Sequence, residues 1–311
     1  MRRFSGVTSL KKFLVDALRL DCEAVTTKLE EFVQSSVKSF GKDGVILGLS
    51  GGIDSSAAAY LCVRALGKEG VHGLIMPERD SLKKNIDNAV SLAKTLRIDY
   101  EVVDLKPILE KMGVYSVIPD HIAKDEKLLE KIFREVRRSS TFDSHQVGVP
   151  LVLNRPSYIL AFAVPKLRLR STMLQFHAYL KNLLVVGTTN RSEYLVGQYE
   201  EHGDGACDIR LFQNLYKTQI RQLAKYLGVP KKIVETPSTP DLLMGSLITD
   251  EFLIGMSFEQ LDSILYCVEQ GMSAPDTAKK VNISENTVKE VELAIATAET
   301  RRNLPLIAPI K

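Results

Sequence analysis

The run Val45-Ile46-Leu47-Gly48-Leu49 enters Ser50-Gly51-Gly52-Ile53-Asp54-Ser55-Ser56 directly, and the alanine-rich stretch from Ala57 to Leu66 follows at once. A short, continuously apolar run is what a parallel strand buried on both faces shows. The alanine-rich stretch reads as a helix. The residues between must turn the chain sharply from strand to helix. Gly51 and Gly52 permit backbone angles, and a closeness of approach, that a Cβ would deny. Successive N–H groups in such a turn, with the positive end of the helix behind them, form an anion cradle. The hydroxyls of Ser50, Ser55 and Ser56 add donors suited to phosphate oxygens. Asp54 is out of place beside an anion unless a cation stands between them. Mg²⁺, which takes one or two carboxylates plus phosphate oxygens, meets that need. The plain alternative is a glycine turn at a strand–helix junction with a Ser or Asp cap. The spacing GxxxxGK[ST] is absent, and no lysine sits where a P-loop would need one.

The strand–helix alternation continues downstream. Val71 to Met76 reads as a second strand, Leu82 to Leu96 as a helix, Tyr100 to Leu105 as a third strand and Leu183 to Gly187 as a fourth. This pattern predicts an α/β fold, a doubly wound, Rossmann-like parallel sheet with ligands at the carboxyl ends of its strands. N-terminal and C-terminal helices flank it. Residues about 8 to 40 are expected to be helical, from the three- and four-residue recurrence of Leu14, Leu18, Val25, Leu29, Phe32, Val33, Val37 and Phe40. Residues 1–311 read as one domain with an inserted lid or subdomain at about 111–157, where Leu128, Leu129, Ile132, Phe133 and Val136 mark a charged amphipathic helix. Residues about 236 to 255, with Pro237, Pro240 and Gly245, read as a long loop of the kind that is often functional.

Composition excludes several classes. With 25% charged residues and a net charge of +3, the chain is too weakly basic to predict nucleic-acid binding. The stretch Ala278 to Val291 resembles a helix-turn-helix by pattern, yet it holds no arginine and is surrounded by Glu285, Glu290 and Glu292. It is better read as two short packing helices that present the C-terminal tail to the site. The four cysteines (Cys22, Cys62, Cys207, Cys267) form no CxxC pair, which points to reduced thiols and a cytoplasmic protein. No apolar run approaches the roughly 18 residues a membrane span needs, so no membrane partner is expected. Cys207 lies in no activating sequence context and reads as a packed or incidental thiol, and His72 and His177 lie in apolar segments and read as structural.

The Ser50–Ser56 loop is similar to the signature of the N-type ATP pyrophosphatases, which cleave ATP between the α and β phosphates. Three further blocks resemble the NAD synthetase family in particular. These are Leu184 to Tyr194, where a strand ends in Gly187-Thr188 and Glu193 follows; Gly203 to Asp208; and Leu215 to Gln219, with its helix ending at Leu227-Gly228-Val229-Pro230. The resemblance runs from about 45 to 110 and from about 164 to 305. It implies an ammonia-dependent ligase that adenylates the carboxylate of nicotinic acid adenine dinucleotide (deamido-NAD) and amidates it to NAD. It implies that Asp54 and Glu193 hold Mg²⁺. Gly48, Leu49, Ser50, Gly51, Gly52, Ile53, Asp54, Ser55, Ser56, Thr188, Lys217 and Thr239 would contact ATP. Asp54, Lys217 and Glu193 would carry the chemistry, Lys217 by neutralising phosphate charge. Arg168, Asp208, Glu201, Thr300 and Arg301 would face the dinucleotide acid. The family's homodimers make Val25, Leu29, Phe32 and Val33 a candidate subunit interface. No glutaminase-like set is present, so ammonia would be free or delivered by a separate glutaminase.

Departures from the family fall at the acid end. Val164 stands where an asparagine is usual, Glu201 replaces a lysine, and Thr300-Arg301 replaces a His-Lys pair. An alternative reading is therefore an N-type ATP pyrophosphatase that amidates or condenses a different carboxylic acid.

Overall fold

The computed structural model describes residues 17–118, 120–123, 156–239, 249–302 and 308. Helix α1 (Cys22–Ser39) precedes strand β1 (Gly44–Gly48) and helix α2 (Ile53–Leu66). Strand β2 (Val71–Ile75), helix α3 (Lys83–Leu96) and strand β3 (Asp99–Val102) follow, then the short helices α4 (Lys106–Lys111), α5 (Val114–Val117) and α6 (Asp120–Ala123). The long helix α7 (Pro156–Lys181) leads to β4 (Leu183–Gly187), α8 (Arg191–Val196), β5 (Ile209–Arg210), α9 (Lys217–Tyr226) and α10 (Lys231–Val234). The chain ends in α11 (Asp250–Ile254), α12 (Phe258–Glu269), α13 (Ala274–Val281) and α14 (Glu285–Arg302).

Among the described residues the strands form one sheet in the order β3-β2-β1-β4-β5, and every adjacent pair is parallel. The period-two alternation of a strand divides the core. Val45 and Leu47 join Leu184 and Val186 against Ala58, Leu61, Leu92 and Leu223 on one face. Ile46, Leu74 and Val185 meet Phe162, Ala178, Leu105 and Leu109 on the other. A separate cluster of Phe258, Leu261, Ile264, Val281, Val288 and Val291 builds the C-terminal helical layer. Between β1 and β4 the strand order reverses, so the loops after these two strands face each other across the crevice where such sheets bind ligands.

The expected sheet is present, with local corrections. The N-terminal helix does not run unbroken to residue 40. Asp21 starts α1 by accepting the Ala24 N–H at 3.1 Å. Just before it, Gln222 ties the Leu18 carbonyl (2.9 Å) and the Leu20 N–H (3.0 Å) to α9, so these backbone groups are bonded outside any helix. The third strand ends at Val102, because the chain turns at Asp104, whose carboxylate accepts the Lys106 N–H at 2.9 Å. The loop expected over 236–255 contains α11, begun by Thr249 accepting the Phe252 N–H at 3.0 Å. Pro240, Gly245 and the amphipathic helix expected around Leu128–Val136 lie outside the described residues. The stripe Val25, Leu29 and Val33 packs into the subunit's own core, which leaves Phe32 as its exposed member. The helix-turn-helix pattern becomes α13 and α14, both packed on α12, with α14 far longer than the short helix expected. His72 and His177 both meet Glu101, at 3.1 and 3.6 Å, as structural histidines would.

Candidate active site

Gly51 has φ +76°, and a Cβ built there would lie 2.1 Å from the Asn85 carbonyl oxygen. Only glycine fits this turn, which leads from β1 into α2. The Ser50 and Ser55 hydroxyls are 2.9 Å apart, and the Gly52 N–H donates to Ser50 Oγ at 3.2 Å, so the loop is held in an open curl by its own side chains. Ser56 is different: it is buried and donates to the Gly52 carbonyl at 2.7 Å, which makes it a brace under the loop rather than part of the cavity wall.

Two cavities share Ser50, Ser55, Leu167, Thr188 and Asp204. The larger, about 480 Å³, is lined by Ser50–Ser55, Thr188, Thr189, Glu193, Lys217, Thr239 and Asp250, and also by Leu160, Ala163, Val164, Leu167, Tyr199, Glu200, Glu201 and Asp204. The smaller, about 230 Å³, runs over the strand ends at Gly48, Leu49, Met76, Leu174, Gly187 and Cys207. Cys207 packs against Gly187, where a Cβ would lie 2.3 Å from its sulfur. Burial raises the Cys207 thiol above its usual range, in keeping with a packed thiol.

Lys217 is the electrostatic centre of the larger cavity. Its side chain is 1% exposed, with Nζ 2.5 Å from Asp54 Oδ2 and 3.4 Å from Glu193 Oε1. The sheet makes this meeting: Asp54 opens α2 after β1, Glu193 opens α8 after β4, and Lys217 opens α9. Asn190 supports both carboxylates. Its Nδ2 donates to Asp54 at 3.2 Å, and it forms a capping box with Glu193, accepting the Glu193 N–H at 3.1 Å while its own N–H donates to Glu193 Oε2 at 3.2 Å. One Glu193 oxygen thus fixes the helix start and the other faces the lysine.

Burial works against the charge on Lys217, but Asp54, Glu193 and Asp250 outweigh it and hold its pKa above the ordinary lysine value. Burial, with the neighbouring Asp54 and Asp250 charges, pushes Glu193 from 4.5 to about 8 despite the pull of Lys217. Burial raises Asp250 from 3.8 to about 6. Sequence reading missed Asp250, which lay within the expected loop; the signal was Thr249-Asp250-Glu251, a helix start with acids in its first turn. Three carboxylates around one ammonium leave two negative charges in excess when all are ionised.

The acid-end residues are placed less uniformly. Glu201 lines the cavity. Arg168 is half exposed and donates to Glu200 Oε1 at 3.1 and 2.6 Å, so its charge engages a wall residue. Asp208 does not line the cavity. Its carboxylate accepts the Val185 N–H at 2.7 Å and continues the edge of β4. Thr300 is exposed on α14, and the Arg301 side chain lies outside the described residues. Arg302, not anticipated, donates to the Tyr194 and Leu195 carbonyls at 3.1 and 3.0 Å, which fastens the end of α14 to α8. No cluster of three or more metal-type ligands occurs among the described residues, and no described helix is long and apolar enough to cross a membrane.

The sequence and the fold have counterparts in known proteins. The chain is 38% identical to the NH3-dependent NAD synthetase of Methanocaldococcus jannaschii, over 91% of this chain and 95% of that one. It is 37% identical to that of Thermotoga maritima, over 89% and 97%. The solved NH3-dependent NAD synthetase of Campylobacter jejuni superposes with a TM-score of 0.67 at 26% identity, covering 93% of this chain and 100% of that one. The family model for NAD synthase matches residues 25–134 and 158–305, which span the sheet, the glycine loop and the Lys217–Glu193 pair. By sequence and by fold, the chain belongs to the NAD synthase family.

Proposed function

We propose that this chain is an ATP-dependent, amide-forming ligase that adenylates the carboxylate of deamido-NAD and lets ammonia displace AMP to give NAD. The observation that carries this reading is the buried Lys217 ammonium held against Asp54 and Glu193 beside the Gly51–Gly52 amides. The relatives are NH3-dependent NAD synthetases, which supports the choice of substrates. A carboxylate oxygen of the acid attacks the α-phosphorus of ATP, and the α–β bridging oxygen leaves with pyrophosphate. The nitrogen of ammonia then adds to the acyl carbon, the C–O bond to AMP breaks, and the nitrogen sheds a proton. No side-chain nucleophile is required. The loop amides, Ser50 and Ser55 receive the pyrophosphate oxygens, and Lys217 meets the charge that builds on them as the bond breaks. The smaller cavity, over the strand ends, accommodates the base and ribose. Thr188, shared by both cavities, and Thr239 complete the ATP wall.

Mg²⁺ fits the donor set. Asp54 and Glu193 converge on the Lys217 ammonium, and together with Asp250 these carboxylates carry more negative charge, when ionised, than that one ammonium balances. These two residues would hold the ion. When bound, it adds positive charge to the phosphate oxygens.

A second reading, in which a different acid is the acceptor, is favoured by part of the larger cavity's wall. Glu200, Glu201 and Asp204 stand there beside Leu160, Val164 and Leu167, an acidic and apolar surface. Incubation of the protein with ATP, Mg²⁺ and ammonia separates the two: AMP release that depends on deamido-NAD supports the first, and release only with another acid supports the second. We further propose that the protein acts in a reducing compartment such as the cytoplasm, in keeping with four free thiols. We also propose a homodimer. The exposed stripe Phe176, Tyr179 and Leu180 on α7 is the surface that supports it, and sedimentation of a Tyr179→Glu variant tests it.

A further inference from the structure

We infer that Asp262, on α12 and outside both cavities, is a positioning residue that fixes Lys217 and Glu193 relative to each other by clamping the starts of the two helices that carry them. The inference rests on the adenylation reading above. Asp262 and Ser192 are both fully buried. Asp262 Oδ1 accepts the Ser192 hydroxyl at 2.5 Å, and Oδ2 accepts the Thr218 N–H at 2.8 Å. Ser192 Oγ accepts the Lys217 N–H at 2.9 Å. One carboxylate therefore closes a ring of hydrogen bonds through the residue before Glu193, through Lys217 itself and through the residue after it.

The first N–H groups of a helix have no partner within the helix, and a short polar N-cap side chain commonly accepts one of them. Tyr216, ahead of α9, is not such a residue. The acceptors for the Lys217 and Thr218 amides come instead from α8 and α12, so the capping of α9 is also the joint between α8, α9 and the C-terminal layer. The same α12 lays the Phe258 ring 5.2 Å from Lys217 Nζ. Backbone and side chain of Lys217 thus both take their position from α12. The distances that matter at the site, 2.5 Å to Asp54 and 3.4 Å to Glu193, follow from that joint.

Asp262→Asn tests the clamp while keeping the side chain's shape. An amide has one acceptor oxygen where the carboxylate has two, so the oxygen that takes the Thr218 N–H leaves an NH2 facing the Ser192 O–H. Ser192→Ala removes the relay to Lys217 with little change in volume, and it carries the test if the asparagine variant folds poorly. Ile264→Val, a buried change on the same helix away from the ring, is the control. Displacement of a reacting group by about 1 Å costs on the order of 100-fold. We therefore expect kcat for acid-dependent AMP release to fall about 10- to 100-fold in each clamp variant, with KM for ATP and acid held within roughly twofold. The double variant should lose little more than the weaker single one, as residues acting as a unit do. Ile264→Val should keep the wild-type kcat. A wild-type kcat per folded molecule in Asp262→Asn and Ser192→Ala, a loss that only tracks the unfolded fraction, or losses that multiply in the double variant would each overturn the inference. A wild-type protein that releases no AMP with any acid would instead overturn the adenylation reading.

Discussion

Replacing Gly51 by alanine tests the phosphate grip at its narrowest point. The new Cβ would sit 2.1 Å from the Asn85 carbonyl oxygen and 2.9 Å from its carbon. Ordinary contact lies near about 3.5 Å, so the loop and the start of α3 must part by more than about 1 Å. The residue must also hold φ +76°, a left-handed conformation that costs a non-glycine residue about 1–2 kcal/mol. In a protein of this size each kcal/mol lowers the melting temperature by about 1.5 °C, so Gly51→Ala should melt a few degrees low and still fold. The amides that form the cradle move with the loop, and a shift of that size is expected to weaken ATP binding by roughly 10- to 100-fold. Calorimetric titration with ATP and Mg²⁺, well below the lowered melting point, reads the binding separately from the folding. If Gly51→Ala binds ATP with wild-type affinity, the amides of this loop are not what holds the pyrophosphate.

Other outcomes follow from the charges around Lys217. Lys217→Met leaves Asp54 and Glu193 facing each other without the ammonium; loss of one partner from a buried pair costs about 3–5 kcal/mol. It should therefore lower the urea midpoint and reduce AMP release at least 100-fold, and a variant with wild-type turnover would remove Lys217 from the chemistry. The raised Glu193 carboxyl, about 8 against an ordinary 4.5, makes the free protein bind a proton that the unfolded chain does not bind between these values. Its stabilising contribution is thus complete below about 4.5 and is lost as pH rises through about 8. Glu193→Gln should flatten that fall in melting curves collected across this window. At pH 7 a metal held by Glu193 must displace the proton, so Mg²⁺–ATP binding should release close to one proton in wild type and markedly less in Glu193→Gln. Titration in buffers of differing ionisation enthalpy measures this, and equal release from both proteins would contradict the assignment.

The sheet and the glycine turn were legible because each depends on local sequence. β1, β2 and β4 are short, mostly apolar runs, and the turn after β1 needs a glycine at Gly51. Lys217 and Glu193 were legible through family blocks, although nothing local says that residues 54, 193 and 217 converge; the parallel order of β1 and β4 does that. What stayed hidden depends on distant partners. The first helix is interrupted because Gln222, some 200 residues away, takes the backbone groups of Leu18 and Leu20. Asp208 carries a motif's aspartate, yet its carboxylate is occupied by the Val185 amide. Ser56 is chemically apt for phosphate but is turned under the loop by the Gly52 carbonyl. β5 is only two residues long and shows no periodicity to read. Asp262 carries no motif and Asp250 only a helix-start pattern; they matter because burial places each beside Lys217 or its helix.

Transfer of label from the acid tests adenylation most directly. With both carboxylate oxygens of deamido-NAD carrying ¹⁸O, one turnover with ATP and ammonia should place one heavy oxygen in the phosphate of AMP, keep the other in the amide of NAD, and leave pyrophosphate unlabelled. Unlabelled AMP, or label in inorganic phosphate alongside ADP, would mean that the acid never joins the α-phosphorus, and the roles given to the glycine loop, Asp54 and Lys217 would fall with it.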